Sequence, residues 1–125
     1  MRNAAYAVLL TTATVAYGEE TFLSHFEYGQ MLYTDPRGVP CASCHGMKGE
    51  GGTIARYTES VKKKKIVHNV VAPEIRKLDF KRFYRPFTPQ GHTRRSLMPR
   101  YHLTEKEVRT IYDYIQAVNH TKDQP

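Results

Sequence analysis

Two cysteines, Cys41 and Cys44, stand three positions apart in this chain, and His45 follows them directly. No other cysteine occurs among the 125 residues, so a scaffold held by several disulfides is excluded. A chain of this length forms one domain and buries a smaller fraction of its surface than a large protein does. A multidomain enzyme is therefore excluded as well, and the paired cysteines are expected to serve one local site.

The pentapeptide has the form C-x-x-C-H, which is the attachment signature of a c-type haem. Two thiols at i and i+3 lie on one face of a helical turn, where they can form thioethers with the two vinyl groups of one porphyrin. The next residue, His45, then reaches the iron, and its second ring nitrogen needs a hydrogen-bond acceptor. We therefore expect one haem, bound covalently through Cys41 and Cys44 and ligated by His45.

Two other kinds of site contain paired cysteines. A redox dithiol of the thioredoxin type would need a strand before the motif and a long helix after it, but the glycine-rich stretch 46–52 ends a helix quickly. A zinc site would need four ligands, and the chain has no second cysteine pair. The haem-free dithiol protein remains a minor alternative.

Several side chains could supply the second axial ligand: Met47, His68, His92, Met98 and His102. Met98 is favoured because the proline after it biases its backbone toward an extended conformation, and because it stands shortly before the last helix. Met47 is too close to His45 to reach the opposite face of the ring. A thioether opposite an imidazole raises the reduction potential. A bis-histidine arrangement with His92 or His102 stays open, as does a purely apolar packing role for Met98.

Residues 1–18 have the composition of an export signal. Arg2 supplies the positive charge, residues 4–16 are apolar, and Ala16 and Gly18 form a small-x-small cleavage site. We expect this segment to direct the protein to the periplasm and to be cleaved, or else retained as an N-terminal anchor. The remaining residues, 19–125, are then the folded domain. No stretch reaches the ~20 apolar residues of a membrane-spanning helix, which excludes a polytopic membrane protein.

Hydrophobic periodicity predicts a helix at each end of this domain. The first runs from about Thr21 to Tyr33, with Thr21 as its N-cap, and four of its residues share one face: Phe22, Phe26, Gly29 and Tyr33. The last runs from about Glu105 to Val118, behind a capping box of Thr104 and Glu107. Its apolar stripe comprises Val108, Ile111, Tyr112, Ile115 and Val118.

The middle of the chain, from Gly46 to Pro99, is predicted to be mostly irregular because it contains five glycines and four prolines. Asp79 can cap a short helix that continues through Phe87. The stretch 62–71 fits either an extended chain or a helix.

Four segments of the chain resemble class I cytochrome c in order and spacing: 29–33, 41–46, 98–99 and 103–115. The compact form is similar to the small periplasmic monohaem cytochromes of the c553 type. The resemblance implies an all-α fold in which the N- and C-terminal helices cross around one covalent haem, with an irregular middle. It also implies that Gly29 lets an aromatic residue of the last helix pack closely.

One feature of that family has no counterpart at the expected place. A proline after the attachment turn often holds the proximal imidazole through its carbonyl, but no proline occurs between Gly46 and Ala72. The acceptor for the second nitrogen of His45 is therefore not identified from the sequence.

The resemblance implies a carrier of single electrons rather than an enzyme, with the iron held by His45 and Met98. The main alternative is a haem enzyme subunit, or a protein that binds a gas ligand, in which the sixth position is labile.

Positive charge is concentrated in one part of the chain. Residues 62–100 contain twelve basic and two acidic residues, within a chain of formal net charge +7. A positive surface near the haem edge would steer a monomeric carrier toward redox proteins with acidic docking surfaces. An anionic membrane is a second possible attractor, nucleic acid is not expected for an exported protein, and a simple solvated face is the alternative.

Overall fold

The computed structural model describes residues 22–120. The predicted export signal, residues 1–18, and Thr21 lie outside the described residues. The elements in chain order are α1 (His25–Thr34), α2 (Cys41–His45), β1 (Gly52–Val61), β2 (Lys64–Ala72), α3 (Phe80–Tyr84), a 3₁₀ turn (Arg85–Phe87) and α4 (Glu105–His120). Within residues 22–120, none of the helices combines the length and apolar character needed to cross a membrane.

Helix α1 begins later than the sequence predicted. The Ser24 hydroxyl accepts a hydrogen bond from the Glu27 amide at 3.1 Å, and the Glu27 carboxylate accepts one from the Ser24 amide at 2.8 Å. This reciprocal capping box fixes the start of the helix at His25. Phe22, which was predicted to lie on the helical face, therefore precedes the helix and is fully exposed.

Helix α4 confirms its prediction and extends it by two residues, to His120. The Thr104 amide donates to the Glu107 carboxylate at 2.8 Å, and the Glu107 amide donates to the Thr104 hydroxyl at 3.2 Å. The buried core includes residues from this helix, from α1 and from the intervening chain: Leu32, Tyr33, Cys41, Ile75, Phe83, Val108, Ile111, Tyr114 and Ile115.

Helices α1 and α4 pack together at Gly29. A Cβ atom at this position would lie 2.6 Å from the Thr110 carbonyl oxygen and 2.7 Å from the Tyr114 Cβ. Only glycine lets the two backbones approach this closely. Tyr114 is buried against this contact and stacks at a tilt on Phe26, with ring centroids 5.1 Å apart.

The prediction of an all-α fold with an irregular middle is wrong, because β1 and β2 form an antiparallel hairpin. Two properties of the hairpin explain why the sequence did not predict it. Every residue of β1 is exposed, so the strand lacks the alternation of apolar and polar residues that marks a half-buried strand. The two-residue turn consists of Lys62 and Lys63, both at positive φ, where glycine or asparagine is the usual signal.

The short helix α3 was predicted correctly at its start. The Asp79 carboxylate accepts a hydrogen bond from the Arg82 amide at 2.9 Å. The helix itself ends at Tyr84, and a 3₁₀ turn continues to Phe87. It packs on α4 through edge-on ring contacts of Phe80 and Phe83 with Tyr112, at 5.5 and 5.3 Å.

Candidate functional site

The two cysteines lie on the single-turn helix α2. Pro40 immediately precedes the helix, and Gly46 ends it at a φ of +82°, which L side chains rarely adopt. Cys41 is buried and Cys44 is half-buried, and both are free thiols. The motif therefore forms the helical turn that the spacing predicted, with both sulfurs carried by the same turn.

A largely apolar cavity of about 460 Å³ opens beside this turn. Cys41, Cys44 and His45 line it together with Met98, which belongs to the segment between the 3₁₀ turn and α4. The base of the hairpin supplies further walls: Ile54, Val70, Val71, Ala72 and Pro73. The structure thus brings all four predicted site residues to one cavity, whose size and lining are typical of a cofactor site.

The His45 imidazole is oriented by a backbone carbonyl. Its Nδ1 lies 2.9 Å from the carbonyl oxygen of Pro73, and as the protonated nitrogen it donates that hydrogen bond, which leaves Nε2 with its lone pair free to bind a metal. Pro73 is the first proline after the attachment turn. The acceptor missing from the sequence analysis is therefore present, but the whole hairpin separates it from the motif.

The hairpin leaves and rejoins the domain at almost the same place. The Gly51 amide donates to the His45 carbonyl at 2.7 Å, and the Ile75 amide donates to the Gly49 carbonyl at 2.9 Å. A Cβ atom on Gly51 would lie 2.6 Å from the Ala72 carbonyl oxygen, so a glycine is required at this crossing. The chain therefore returns beside His45 after the two inserted strands, and the Pro73 carbonyl reaches its ring.

Tyr33 links helix α1 to the attachment turn. Its hydroxyl donates a hydrogen bond to the Gly46 carbonyl, and its side chain is fully buried. Burial raises the pKa of this phenol well above its usual range, so it stays a hydrogen-bond donor at neutral pH.

Tyr101 holds the segment that carries Met98, and the sequence analysis did not single it out. Its hydroxyl donates to the Val39 carbonyl at 2.6 Å, which joins the chain before α2 to the chain after Met98. Its ring lines the cavity and lies 6.2 Å from that of Phe87. Burial is the main cause that raises the pKa of Tyr101 to about 12. The one signal in the sequence is an aromatic residue three positions after Met98.

The other four candidate ligands do not line this cavity. Met47 is exposed. His68 lies on β2, where its ring stacks on Tyr57 and its Nε2 lies 3.1 Å from Glu59. His92 and His102 line an adjoining cavity of about 230 Å³, which shares two lining residues with the first.

Cys41 and the fold around the motif lack the features of a redox dithiol. Burial is the main cause that raises the pKa of the Cys41 thiol to about 11, whereas reactive cysteines of such proteins have lowered pKa values. The two strands of the described chain both follow the motif, and the helix that contains the cysteines ends at His45. The βαβ setting of the thioredoxin type is therefore absent from residues 22–120.

The basic residues of segment 62–100 lie in several parts of the structure. Lys62 to Lys65 occupy the turn of the hairpin and the start of β2. Arg95 lines the cavity that contains Met98. Arg94 and Arg100 are exposed, and both stand within a few residues of Met98 in the sequence. Others are paired locally, as in the 2.8 Å ion pair between Arg76 and Glu74.

Comparison with known families decides the family of this chain. The family model described as Cytochrome c matches residues 26–119, which span the attachment turn, the Met98 segment and both terminal helices. The chain belongs to the cytochrome c family. Searches of curated proteins and of solved structures return no significant match. This cytochrome is accordingly a haem-binding, electron-transfer protein.

The residues of the cavity fit the haem c that the family implies. Two free thiols and an oriented imidazole stand on one turn, and a thioether reaches the same largely apolar cavity. Cys41 and Cys44 would hold the porphyrin covalently, and His45 would bind the iron. The bound group supplies an iron that alternates between two oxidation states, and the chain supplies ligands, orientation and a low-dielectric surrounding.

Proposed function

We propose that this cytochrome is a periplasmic carrier of single electrons, with one haem whose iron is ligated by His45 and Met98. The N-terminal pattern of residues 1–18 supports export, because C-x-x-C-H attachment and an export signal occur together in the same sequence. The likeness to the c553 type remains a prediction.

One observation carries the choice of ligands. Of the five candidates for the second axial position, all within the described residues, Met98 alone shares the cavity with Cys41, Cys44 and His45. The four others are exposed, engaged on the hairpin or placed at another cavity. A histidine–methionine pair also favours a high reduction potential, which suits a carrier.

The protein's own groups explain why this site would carry electrons rather than catalyse a reaction. The Pro73 carbonyl holds the His45 ring in one orientation, and the Tyr101 hydroxyl fastens the segment behind Met98. Because His45 and Met98 would both bind the iron, they would leave no coordination position for a substrate. The largely apolar walls would leave few polar groups to reorganise when the charge of a bound group changes.

We further propose acidic redox proteins as the partners of a monomeric carrier. Arg94, Arg95 and Arg100 place positive charge beside the Met98 segment. Such charges accelerate the encounter with an acidic surface, and this acceleration falls as the salt concentration rises.

The test of the ligand assignment is the variant Met98→Ala, with Met47→Ala as its matched control. We expect Met98→Ala to bind CO in the reduced state and to have a lower reduction potential, while the control behaves like the parent protein. A parent-like potential and no CO binding in Met98→Ala would refute the assignment of Met98.

Export is tested separately by the mass of the protein recovered from the periplasm. Cleavage after Gly18 predicts a mature chain that starts at Glu19, and retention as an anchor predicts an intact N-terminus in the membrane fraction. Recovery of the haem-free chain from the cytoplasm alone would contradict a periplasmic carrier.

A further inference from the structure

The hairpin extends from the domain with little support from it. Every residue of β1 is exposed, and β2 is mostly exposed until its last residue, Ala72, is buried at the cavity. An isolated two-stranded hairpin is marginally stable in water. A ribbon of this kind gains stability where a further surface covers it.

The tip of the hairpin concentrates positive charge. The four lysines 62–65 are consecutive, and all are exposed. The sole acidic residue of the hairpin is Glu59, whose carboxylate lies 3.1 Å from His68. No carboxylate of the hairpin is thus paired with a lysine of the tip, and a surface that complements the tip must be negative.

Apolar side chains accompany the lysines on both faces of the ribbon. Val61 pairs with Lys64, and Glu59 pairs with Ile66, so Val61 and Ile66 lie on one face. Val67 follows Ile66 and therefore lies on the opposite face. These three side chains are 39%, 43% and 56% exposed. A folded protein partner would cover one face of the ribbon, whereas the headgroup layer of a bilayer surrounds an inserted tip on both faces.

The tip is also far from the site of electron transfer. A strand of the length of β1 spans about 30 Å at the usual rise per residue, and the cavity lies at the other end of the hairpin, beside Val70 and Ala72. Contacts made by the tip consequently leave the cavity and its neighbouring arginines free for a redox partner.

We propose that the tip of the hairpin, residues 61–67, docks this cytochrome on the surface of an anionic phospholipid bilayer. The lysines bind the lipid phosphates, and Val61, Ile66 and Val67 enter the boundary between headgroups and acyl chains. The docked protein keeps its haem cavity away from the bilayer. This inference goes beyond the proposed function, and it can fail while the assignment of the haem ligands holds.

The test is sedimentation of the full-length holoprotein with vesicles of phosphatidylcholine that contain phosphatidylglycerol, and with vesicles of phosphatidylcholine alone. We expect binding to the anionic vesicles only, weakened by salt. The double variant Lys64→Gln/Lys65→Gln should lower the partition coefficient about 30-fold. The matched control Lys77→Gln/Lys106→Gln removes the same charge from exposed positions outside the hairpin and should leave binding close to that of the parent.

A second pair of variants tests insertion from both faces. Ile66→Asn and Val67→Asn lie on opposite faces of β2, and each should weaken vesicle binding by about fivefold. An effect of one and not the other would overturn the insertion of the tip. Equal losses in the hairpin and control lysine variants would overturn the localisation of binding. The proposal would also be overturned if the parent protein did not bind anionic vesicles and the tip lysines instead mediated dimerisation or binding to an acidic protein.

Discussion

The contact of helix α1 with helix α4 at Gly29 offers the sharpest test of the packing. In Gly29→Ala, the new Cβ would lie 2.6 Å from the Thr110 carbonyl oxygen and 2.7 Å from the Tyr114 Cβ. Both neighbouring atoms belong to or adjoin the backbone, so neither can move away by rotation of a side chain. The two helices must therefore separate by several tenths of an ångström.

Two opposing terms determine the size of the effect. Overpacking a close contact costs up to about 3 kcal/mol, while alanine is favoured over glycine inside a helix by about 1 kcal/mol. We expect the free energy of unfolding of Gly29→Ala to fall by about 2 kcal/mol, which corresponds to a melting temperature lowered by roughly 10 °C.

The assay is thermal and urea unfolding of the holoprotein, followed by circular dichroism. Gln30→Ala, at the neighbouring exposed position of the same helix, is the matched control and should unfold close to the parent. If Gly29→Ala were as stable as the parent or more stable, helix propensity alone would account for it. The close approach of the two helices would then be refuted.

Three further predictions concern the helix caps and the hairpin. Ser24→Ala removes the N-cap of α1 and should lower the free energy of unfolding by about 1 kcal/mol, while the hairpin control Ser60→Ala should change it little; urea unfolding compares the two. The backbone amide of Thr104 and, less strongly, Arg37 lower the pKa of the Glu107 carboxyl in the folded protein. The ionised Glu107 carboxylate therefore stabilises the fold above about pH 4.3, and this stabilisation is lost as the pH falls through the folded-state pKa. Unfolding of Glu107→Gln should accordingly depend less on pH in this acidic range, and an unchanged slope would contradict this. Lys62→Asn with Lys63→Gly supplies the residues that a left-handed turn prefers and should slow amide exchange in both strands; faster exchange would count against the turn.

The ends of the chain were more predictable than its middle for a physical reason. Helix α4 has a strong capping box and an apolar stripe that faces the core, so local and tertiary preferences agree. The N-cap of helix α1 is Ser24 and not the predicted Thr21, and the capping box formed by Ser24 with Glu27 satisfies two backbone amides.

The hairpin as a whole was not predicted, although an extended chain was one of two options for the stretch 62–71 and β2 lies there. The reason is that its sequence lacks the signals that burial imposes. Its side chains face solvent on both sides, and Lys62 and Lys63 occupy turn positions that usually hold asparagine and glycine. Because the hairpin was not predicted, Pro73 was not identified as the hydrogen-bond acceptor for His45. Its contact with His45 spans 28 positions, and it becomes evident only when the hairpin brings the two ends of the insertion together.

For the candidate site, the residues chosen from the sequence line one cavity in the structure, and their roles as haem attachment points and ligands stay a prediction. The spacing of Cys41 and Cys44 describes a single helical turn, and the structure contains that turn beside the cavity. The position of Met98 before the last helix led to the same cavity. The role of Tyr101 in holding the Met98 segment was not predicted. It depends on a hydrogen bond to the Val39 carbonyl, which no local sequence pattern indicates.

The optical spectrum of the purified full-length holoprotein tests whether His45 and Met98 both bind the haem iron. It is recorded in the ferric state, after reduction with dithionite, and again after addition of CO. Ligation by both His45 and Met98 predicts a low-spin spectrum with sharp α and β bands in the reduced state, unchanged by CO. A high-spin spectrum that shifts with CO would contradict a carrier with two protein ligands, and it would point instead to a protein that binds or transforms a small ligand at the iron.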